Sequence, residues 1–544
     1  MRAVVVGSGA GGAAAVYALT ARGVEVTLLE AGPRYDPAAD YRLDREDWER
    51  TGFPEKVPTG ARQTFAPMQR LDPEGSDLRS WNRIRGRKVA GDVRSPAGGY
   101  KHTVGYGGST LYYTGEHHRL ARTAFSMRSD YGVGADWPIG YDDLAPYYDQ
   151  AEALVGVSGG GEDPDRPRAS AYPMGPLPRS YASEALTRGF DALGWPVAPN
   201  PLAVLSEPYD DRPPCNFCGG CNRGCPRLDK GSFDLTYLRR AEATGLLTTI
   251  LEAQATRLIF DDGGDVREVR YRDAMGREAA VSGDLVFLAC GAVETPRLLL
   301  NSRASGLRDP HERIGKGFME TSAWTSVALH PERIGSHRGH PSDVISWRFN
   351  RPDAVDGVVG GFRLTPGTAE ANLVGPINYA SRVVGGFGRA HKRAMRAEFG
   401  RALAVAALGE SLPDEGGLVD LDPIEVDRWG LPKARIHSRL SGNEIRRLAA
   451  MRDACRAVLT AAGAGPLIEE TGTYDEFGSS HVFGGCAMGR DPRDSVVDPD
   501  GRRHGSKNLF VVDASVFPST GGGESPALTI AANALRAVEM VFKR

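Results

Sequence analysis

Hydrophobic positions recur with two periods along the chain. At the N-terminal end Arg2-Ala3-Val4-Val5-Val6 is a continuous, largely β-branched run, a glycine-rich turn spans Gly7 to Gly12, and Val24-Glu25-Val26-Thr27-Leu28-Leu29 is a second strand-like run after a helical interval. Residues 2–30 therefore predict a βαβ unit. A second buried-strand pattern, Asp284 to Cys290, ends at Gly291 and flows into the helical-looking Thr295-Pro296-Arg297-Leu298-Leu299-Leu300, returning the chain to the same parallel sheet. Asn508 to Asp513 repeats the strand pattern, and 526–541 predicts a closing helix. Between 311 and 470 short strand-like runs such as Val344 to Phe349 alternate with an amphipathic helix near 442–462, and no cofactor motif occurs. That stretch is expected to bind substrate. Residues 35–94 are polar and weakly periodic, so loops and short helices covering a cofactor are expected there.

Length and charge narrow the picture. A chain of 544 residues is too long for one ordinary core and long enough for two or three domains. Its formal net charge is −3 with no run of like charges, so the footprint of a nucleic-acid or anionic-membrane binder is missing and a small-molecule partner is expected. No apolar run approaches the roughly 18 residues needed to span a bilayer. The first strand begins at Arg2, leaving no room for a signal peptide, and the expected location is the cytoplasm.

Gly7, Gly9 and Gly12 fit GxGxxG, with Glu30 ending the second strand eighteen residues later. Gly7 permits the tight turn, Gly9 lets backbone approach a pyrophosphate, and Gly12 allows close helix-to-strand packing. The helix N-terminus faces the phosphates, and Glu30 can accept hydrogen bonds from ribose hydroxyls. This is a dinucleotide site, and it does not by itself choose NAD over FAD.

Further motifs follow in order: Gly105-Tyr106-Gly107-Gly108-Ser109-Thr110; Asp136-Trp137-Pro138-Ile139 through Tyr147-Tyr148; Gly291 to Leu300; His481-Val482-Phe483-Gly484-Gly485-Cys486-Ala487-Met488-Gly489; and Asp513-Ala514 with Pro526-Ala527-Leu528-Thr529-Ile530. Together they resemble the glucose-methanol-choline (GMC) oxidoreductase family over about three quarters of the chain. The resemblance implies an α/β fold: a Rossmann-like FAD-binding domain with a parallel sheet, plus an α+β substrate domain on an antiparallel sheet. Residues 1–310 and 471–544 would form mainly the first, and 311–470 the second. It implies FAD held by Gly7, Gly9, Gly12 and Glu30, with Gly107, Gly108 and Ser109 in a glycine loop near the flavin and Asp513 and Ala514 against the cofactor. His102, beside that loop, is read as an ordinary loop histidine rather than a flavin tether.

Alcohol oxidation needs a base for the hydroxyl proton while hydride leaves to the flavin, and imidazole suits that task. His481 opens the segment resembling the family's active-site histidine motif and is the expected base. Where the family places Asn or His, this chain has Ser525, which can orient a hydroxyl but not act as base, so His481 acts alone or with Glu524 or another group. The pattern after Leu300 also departs, appearing only loosely as Ser305-Gly306-Leu307.

Cys215-x2-Cys218-x2-Cys221-x3-Cys225-Pro226 has ferredoxin-like spacing. Four thiolates within eleven residues can hold a three-iron or four-iron cluster. Zinc is the lesser metal, and free thiols remain an alternative. Similar clusters occur in large subunits of bacterial sugar dehydrogenases of the family, at positions matching Cys215, Cys221 and Cys225. That implies electron transfer to an external acceptor protein and a dehydrogenase rather than an oxidase. The expected substrate is a sugar, glycoside or polyol, with Trp81, Tyr112, Tyr113 and His117 near the site. A hydrophobic alcohol or sterol is the second reading, an FAD-containing lyase the third, and a noncatalytic electron-transfer or scaffold subunit the fourth.

Overall fold

The computed structural model describes residues 1–46, 48–51, 64–65, 69–87, 91–95 and 99–543. The N-terminal run forms β1 (Arg2–Val6), followed by α1 (Ala10–Thr20) and β2 (Glu25–Leu29). Ala3 to Val6 are all buried, as a strand covered on both faces requires. β2 lies parallel to β1 with Ala3 opposite Val26 and Val6 opposite Leu29. Much later, β3 (Leu247–Ile250) adds parallel to β2, and β4 (Leu285–Leu288) adds parallel to β1 before the chain enters α2 (Gly291–Asn301). Between β3 and β4 a small antiparallel sheet of three strands makes an excursion from this layer. In the 35–94 stretch the described residues form short helical turns at Pro37–Asp40, Trp48–Thr51 and Pro73–Leu78 and two-residue strands. Asp47 and residues 52–63, 66–68 and 88–90, to which the same expectation applied, lie outside the described residues.

The second layer is an antiparallel sheet of eight strands. Its body consists of β5 (Ser322–Leu329), β6 (Val344–Phe349), β7 (Phe362–Pro366), β8 (Ala402–Gly409) and, beyond helix α3 (Gly442–Ala461), β9 (Leu467–Gly472). The spatial order is β9-β5-β8-β7-β6, extended by short segments at Trp81–Asn82 and Gly86–Arg87 on one edge and Ala198–Pro199 on the other. Ser441 and Glu444 form a capping box that starts α3. This helix buries Leu448, Met451, Cys455 and Val458 against Trp324, Leu403 and Val405 of the sheet. Thr325 stands opposite both Ala406 and Thr471, so one cross-strand row carries two hydroxyls.

β10 (Leu509–Val511) then returns parallel to β4, giving the five-stranded order β10-β4-β1-β2-β3, and α4 (Ala527–Lys543) closes the chain against α1. The architecture is a Rossmann-like domain on a parallel sheet joined to a substrate domain on an antiparallel one. Among the described residues no helix is long and apolar enough to cross a membrane.

Candidate active site

A cavity of about 700 Å³ runs from the C-terminal end of β1 to the face of the antiparallel sheet. At the first end the fingerprint makes its walls. Gly7 has φ +94°, and a Cβ there would sit 2.5 Å from the Ala289 carbonyl oxygen. A Cβ on Gly9 would meet nothing within 4 Å, so that backbone faces open space. Gly12 packs where a Cβ would strike the Gly7 carbonyl. Gly11, which the motif leaves unassigned, packs where one would strike Val512 O at 2.0 Å. Gly9 precedes α1 and offers no side-chain cap, and the helix has no acid in its first turn, so its first N–H groups are free to receive an anion.

Glu30 lines the same end, its carboxylate accepting from Ser8 N at 3.0 Å, Ser8 Oγ at 2.5 Å and Gly32 N at 2.9 Å. Burial pushes its pKa up, and these hydrogen bonds oppose the rise. Ser8 Oγ also accepts from Gly107 N at 3.0 Å, stitching the glycine loop to the fingerprint. Gly107 (φ +111°) thus turns beneath the loop, while Gly108 and Ser109 face the cavity. Asp513 and Ala514 line it too. The Asp513 carboxylate accepts from Gly291 N, Thr295 Oγ1 and Ser515 N, tying the start of α2 to the segment after β10. Tyr112, Tyr113 and His102 are also on the wall, and burial lowers the His102 pKa.

At the other end His481 and Ser525 come together. His481 precedes a short strand, Val482–Phe483, that pairs with Met319–Glu320; its backbone is held by Ser479 and Thr321. Its ring lines the cavity, and neither ring nitrogen has a hydrogen-bond partner among the described residues. Burial lowers its pKa to about 4, with Glu116 opposing and Arg363 reinforcing the shift, so the ring is neutral at pH 7. Ser525 Oγ donates to Glu116 Oε2 at 2.7 Å, and Ser525 N donates to His118 Nδ1 at 3.0 Å.

Glu116 is the hub that sequence reading missed. Arg363, on β7, pairs with both its oxygens, and Asn200 Nδ2 donates to Oε1 at 3.1 Å while Asn200 Oδ1 receives His118 Nε2 at 2.7 Å. Burial pushes the Glu116 pKa up, but Arg363, His118 and Ser525 together hold it at about 2. The sequence signal was the Glu116-His117-His118 triplet. The middle residue, His117, is turned into the core against Tyr113 and Phe233 rather than the cavity. Trp81 does not line the cavity either, its indole donating to Glu470. Glu524 is likewise set apart, its carboxylate taken up by Arg166, Asn350 and Ala121 N.

The four cysteines of the 215–225 segment lie within electrostatic reach of one another beside the cavity, which the segment touches at Asn222. They do not fit a metal as arranged. Among the described residues no group of three or more His, Cys, Asp or Glu side chains is placed to hold an ion. Burial pushes the thiols up, to about 12 at Cys215 and about 11 at Cys225, and raises Cys218 and Cys221 as well. Cys225 Sγ donates to Asp229 at 3.1 Å. Lys230 Nζ fastens the segment to the cavity wall through Cys221 O, Leu111 O and Tyr113 O.

Two sequence models of one family, both described as GMC oxidoreductase, match residues 107–321 and 413–534, together more than half the chain, and an NAD(P)-binding Rossmann-like model matches residues 5–66. The chain belongs to the GMC oxidoreductase family. It is 28% identical to 2-methyl-1,2-propanediol dehydrogenase of Mycolicibacterium austroafricanum, covering 99% of this chain and 95% of the relative. It is 27% identical to the fructose dehydrogenase large subunit of Gluconobacter japonicus (99% and 97%) and 29% identical to 6'''-hydroxyparomomycin C oxidase of Streptomyces lividus (98% and 89%). Among solved structures, pyridoxine 4-oxidase from Mesorbium loti superposes with a TM-score of 0.64 at 19% identity, over 100% of this chain and 99% of that one, a likeness of fold. FAD is the cofactor that membership implies, and the first end of the cavity fits it. The uncapped α1 N-terminus suits a pyrophosphate, Gly9 leaves room for one, and Glu30 retains acceptor capacity for a ribose.

Proposed function

We propose that this GMC oxidoreductase oxidises an alcohol group on a polyol or sugar, with His481 as base. The observation that carries the reading is the free, neutral imidazole of His481 on the same cavity wall as Ser525, whose own proton is committed to Glu116. One ring nitrogen takes the substrate's hydroxyl proton. Bound FAD supplies the acceptor for the carbon-bound hydride. Ser525 Oγ, donating to Glu116, has its lone pairs left to accept from a second substrate hydroxyl, and Arg363 keeps Glu116 ionised so that this orientation persists at neutral pH. Thr325 and Thr471 add hydroxyls to the wall, which favours a polyol over a sterol. The names of the diol and fructose dehydrogenases point the same way. Residues 311–470 contribute Thr321, Thr325 and Glu370 to this polar wall, and the Rossmann-like layer the cofactor groove.

The reading favours a dehydrogenase that passes electrons to an external acceptor, in line with the subunit name of the fructose relative. An iron-sulfur role for Cys215, Cys218, Cys221 and Cys225 gains no support from their arrangement. The test is anaerobic mixing of FAD-loaded protein with a panel of diols, sugars and sugar alcohols. Bleaching of the flavin band by at least one is expected. A flavin left oxidised by every member, with FAD bound, would overturn the reading in favour of the lyase. Oxygen uptake with peroxide release would overturn the dehydrogenase part alone.

A further inference from the structure

Gly367 follows β7, and its N–H donates to Ala404 O at 2.7 Å; a Cβ there would meet the Val405–Ala406 backbone at 2.9 Å. The chain can therefore cross β8 closely at this point. The crossing delivers Ala369 and Glu370 to the cavity wall. Glu370 is exposed there, and its carboxylate has no ion-pair or hydrogen-bond partner from another residue among the described residues. Two other acids of the wall have cationic partners of their own. Glu116 is neutralised by Arg363, and Glu294, further along the wall, by Arg297. Arg297 is the only Lys or Arg among the described residues lining the cavity, and Glu294 and Asp427 already hold it. Glu370 and His481 both lie within electrostatic reach of Glu116, which places them around one substrate-sized space.

We propose that Glu370 is an ammonium-binding group of the substrate site, and that the preferred substrate is a polyol or sugar that also carries a protonated amine. This rests on the alcohol-oxidising reading above and narrows its substrate class. A carboxylate on the cavity wall with no cation of its own attracts a cationic ligand, which pairs with it while the Ser525 and threonine hydroxyls receive its alcohol groups. The strain on the free site is visible in Glu370 itself. Enclosure by protein and the nearby Glu116 raise its pKa to about 7, with Arg363 opposing, so an arriving ammonium restores the ionised form.

The test uses FAD-loaded protein and a matched pair of probes, glucamine (1-amino-1-deoxysorbitol) and sorbitol, which differ in one ammonium for one hydroxyl. Titration calorimetry at pH 8 is expected to give glucamine a Kd lower by on the order of tenfold, as a charge-assisted pair in a shielded site should. In E370Q the two affinities should converge through loss of glucamine binding, with E370D keeping part of the difference. An unchanged flavin spectrum in the variants shows that the fold and cofactor persist. Equal affinities in the wild type, absence of binding to both included, overturn the proposal, as does a preference that survives in E370Q. Polyols that bleach the flavin with no amine preference overturn this inference and leave alcohol oxidation standing. A flavin that neither neutral nor amino polyols bleach overturns the reading beneath it.

Discussion

Glu116→Gln is the perturbation whose consequence the structure specifies most fully. The wild-type carboxylate accepts from Arg363, Ser525 and Asn200, and the Arg363 side chain is fully buried. The amide keeps the shape but carries no charge, and it turns a donor toward groups that are themselves donors. A carboxyl held from its ordinary 4.5 down to about 2 contributes about 3 kcal/mol to folding at neutral pH. Removing one partner of a buried pair typically costs about 3–5 kcal/mol, because the remaining cation is left uncompensated. The two figures agree, so E116Q should lose about 3 kcal/mol in urea unfolding at pH 7 with FAD in fixed excess. Because the folded-state pKa is depressed, this contribution is complete above pH 4.5 and is lost as pH falls toward 2. The gap between wild type and E116Q should therefore close over that interval. Adding Arg363→Met to E116Q should recover part of the loss, a coupling that a double-mutant cycle isolates. Wild-type stability of E116Q at pH 7, or a deficit that persists unchanged at low pH, would refute the electrostatic account of Glu116.

Two further variants separate orientation from cofactor binding. Ser525→Ala should cost about 1–2 kcal/mol in stability by removing one donor to a buried carboxylate, and should raise KM for a polyol more than it lowers kcat, as steady-state kinetics would show. Gly108→Ala places a Cβ 2.6 Å from Gly9 Cα at a φ of +57°, so the purified variant should carry substoichiometric flavin, read from the ratio of flavin to protein absorbance.

The βαβ start, the return strands at 285–288 and 509–511 and the closing helix were legible because each is a local pattern: a buried apolar run, a glycine turn, a 3.6-residue period. His481 and Ser525 were legible through their motif context, but the groups that tune them were not. Ser525 and Glu116 are 409 positions apart and Arg363 and Glu116 are 247 apart, and only the packing of the antiparallel sheet against the parallel layer brings them together. His117 drew attention as a histidine, yet residues 116–118 run extended, bridged to Leu202, so alternation turns Glu116 and His118 one way and His117 the other. The role of Gly11 was hidden for a similar reason, since the carbonyl it packs against belongs to Val512. The cysteine spacing was plain, but spacing does not fix where thiols point. Phe217 lies at φ +60°, and Cys215 packs with it against Leu177, Leu202 and Val204.

The central claim is that His481 takes the proton that releases hydride, and anaerobic stopped-flow reduction of the bound flavin tests it most directly. The measurement compares wild type with His481→Ala, using a polyol that bleaches the wild-type flavin, across a range of pH. Because the neutral ring is the active form, wild-type reduction should hold steady through neutral pH and fall as pH drops toward about 4. The variant should retain FAD, which His481 does not hold, yet reduce it more slowly by about 10²–10⁴-fold, with the acid limb gone. Flavin reduction in His481→Ala at a near wild-type rate, with the acid limb still present, would contradict the account and move the base to another group on the cavity wall.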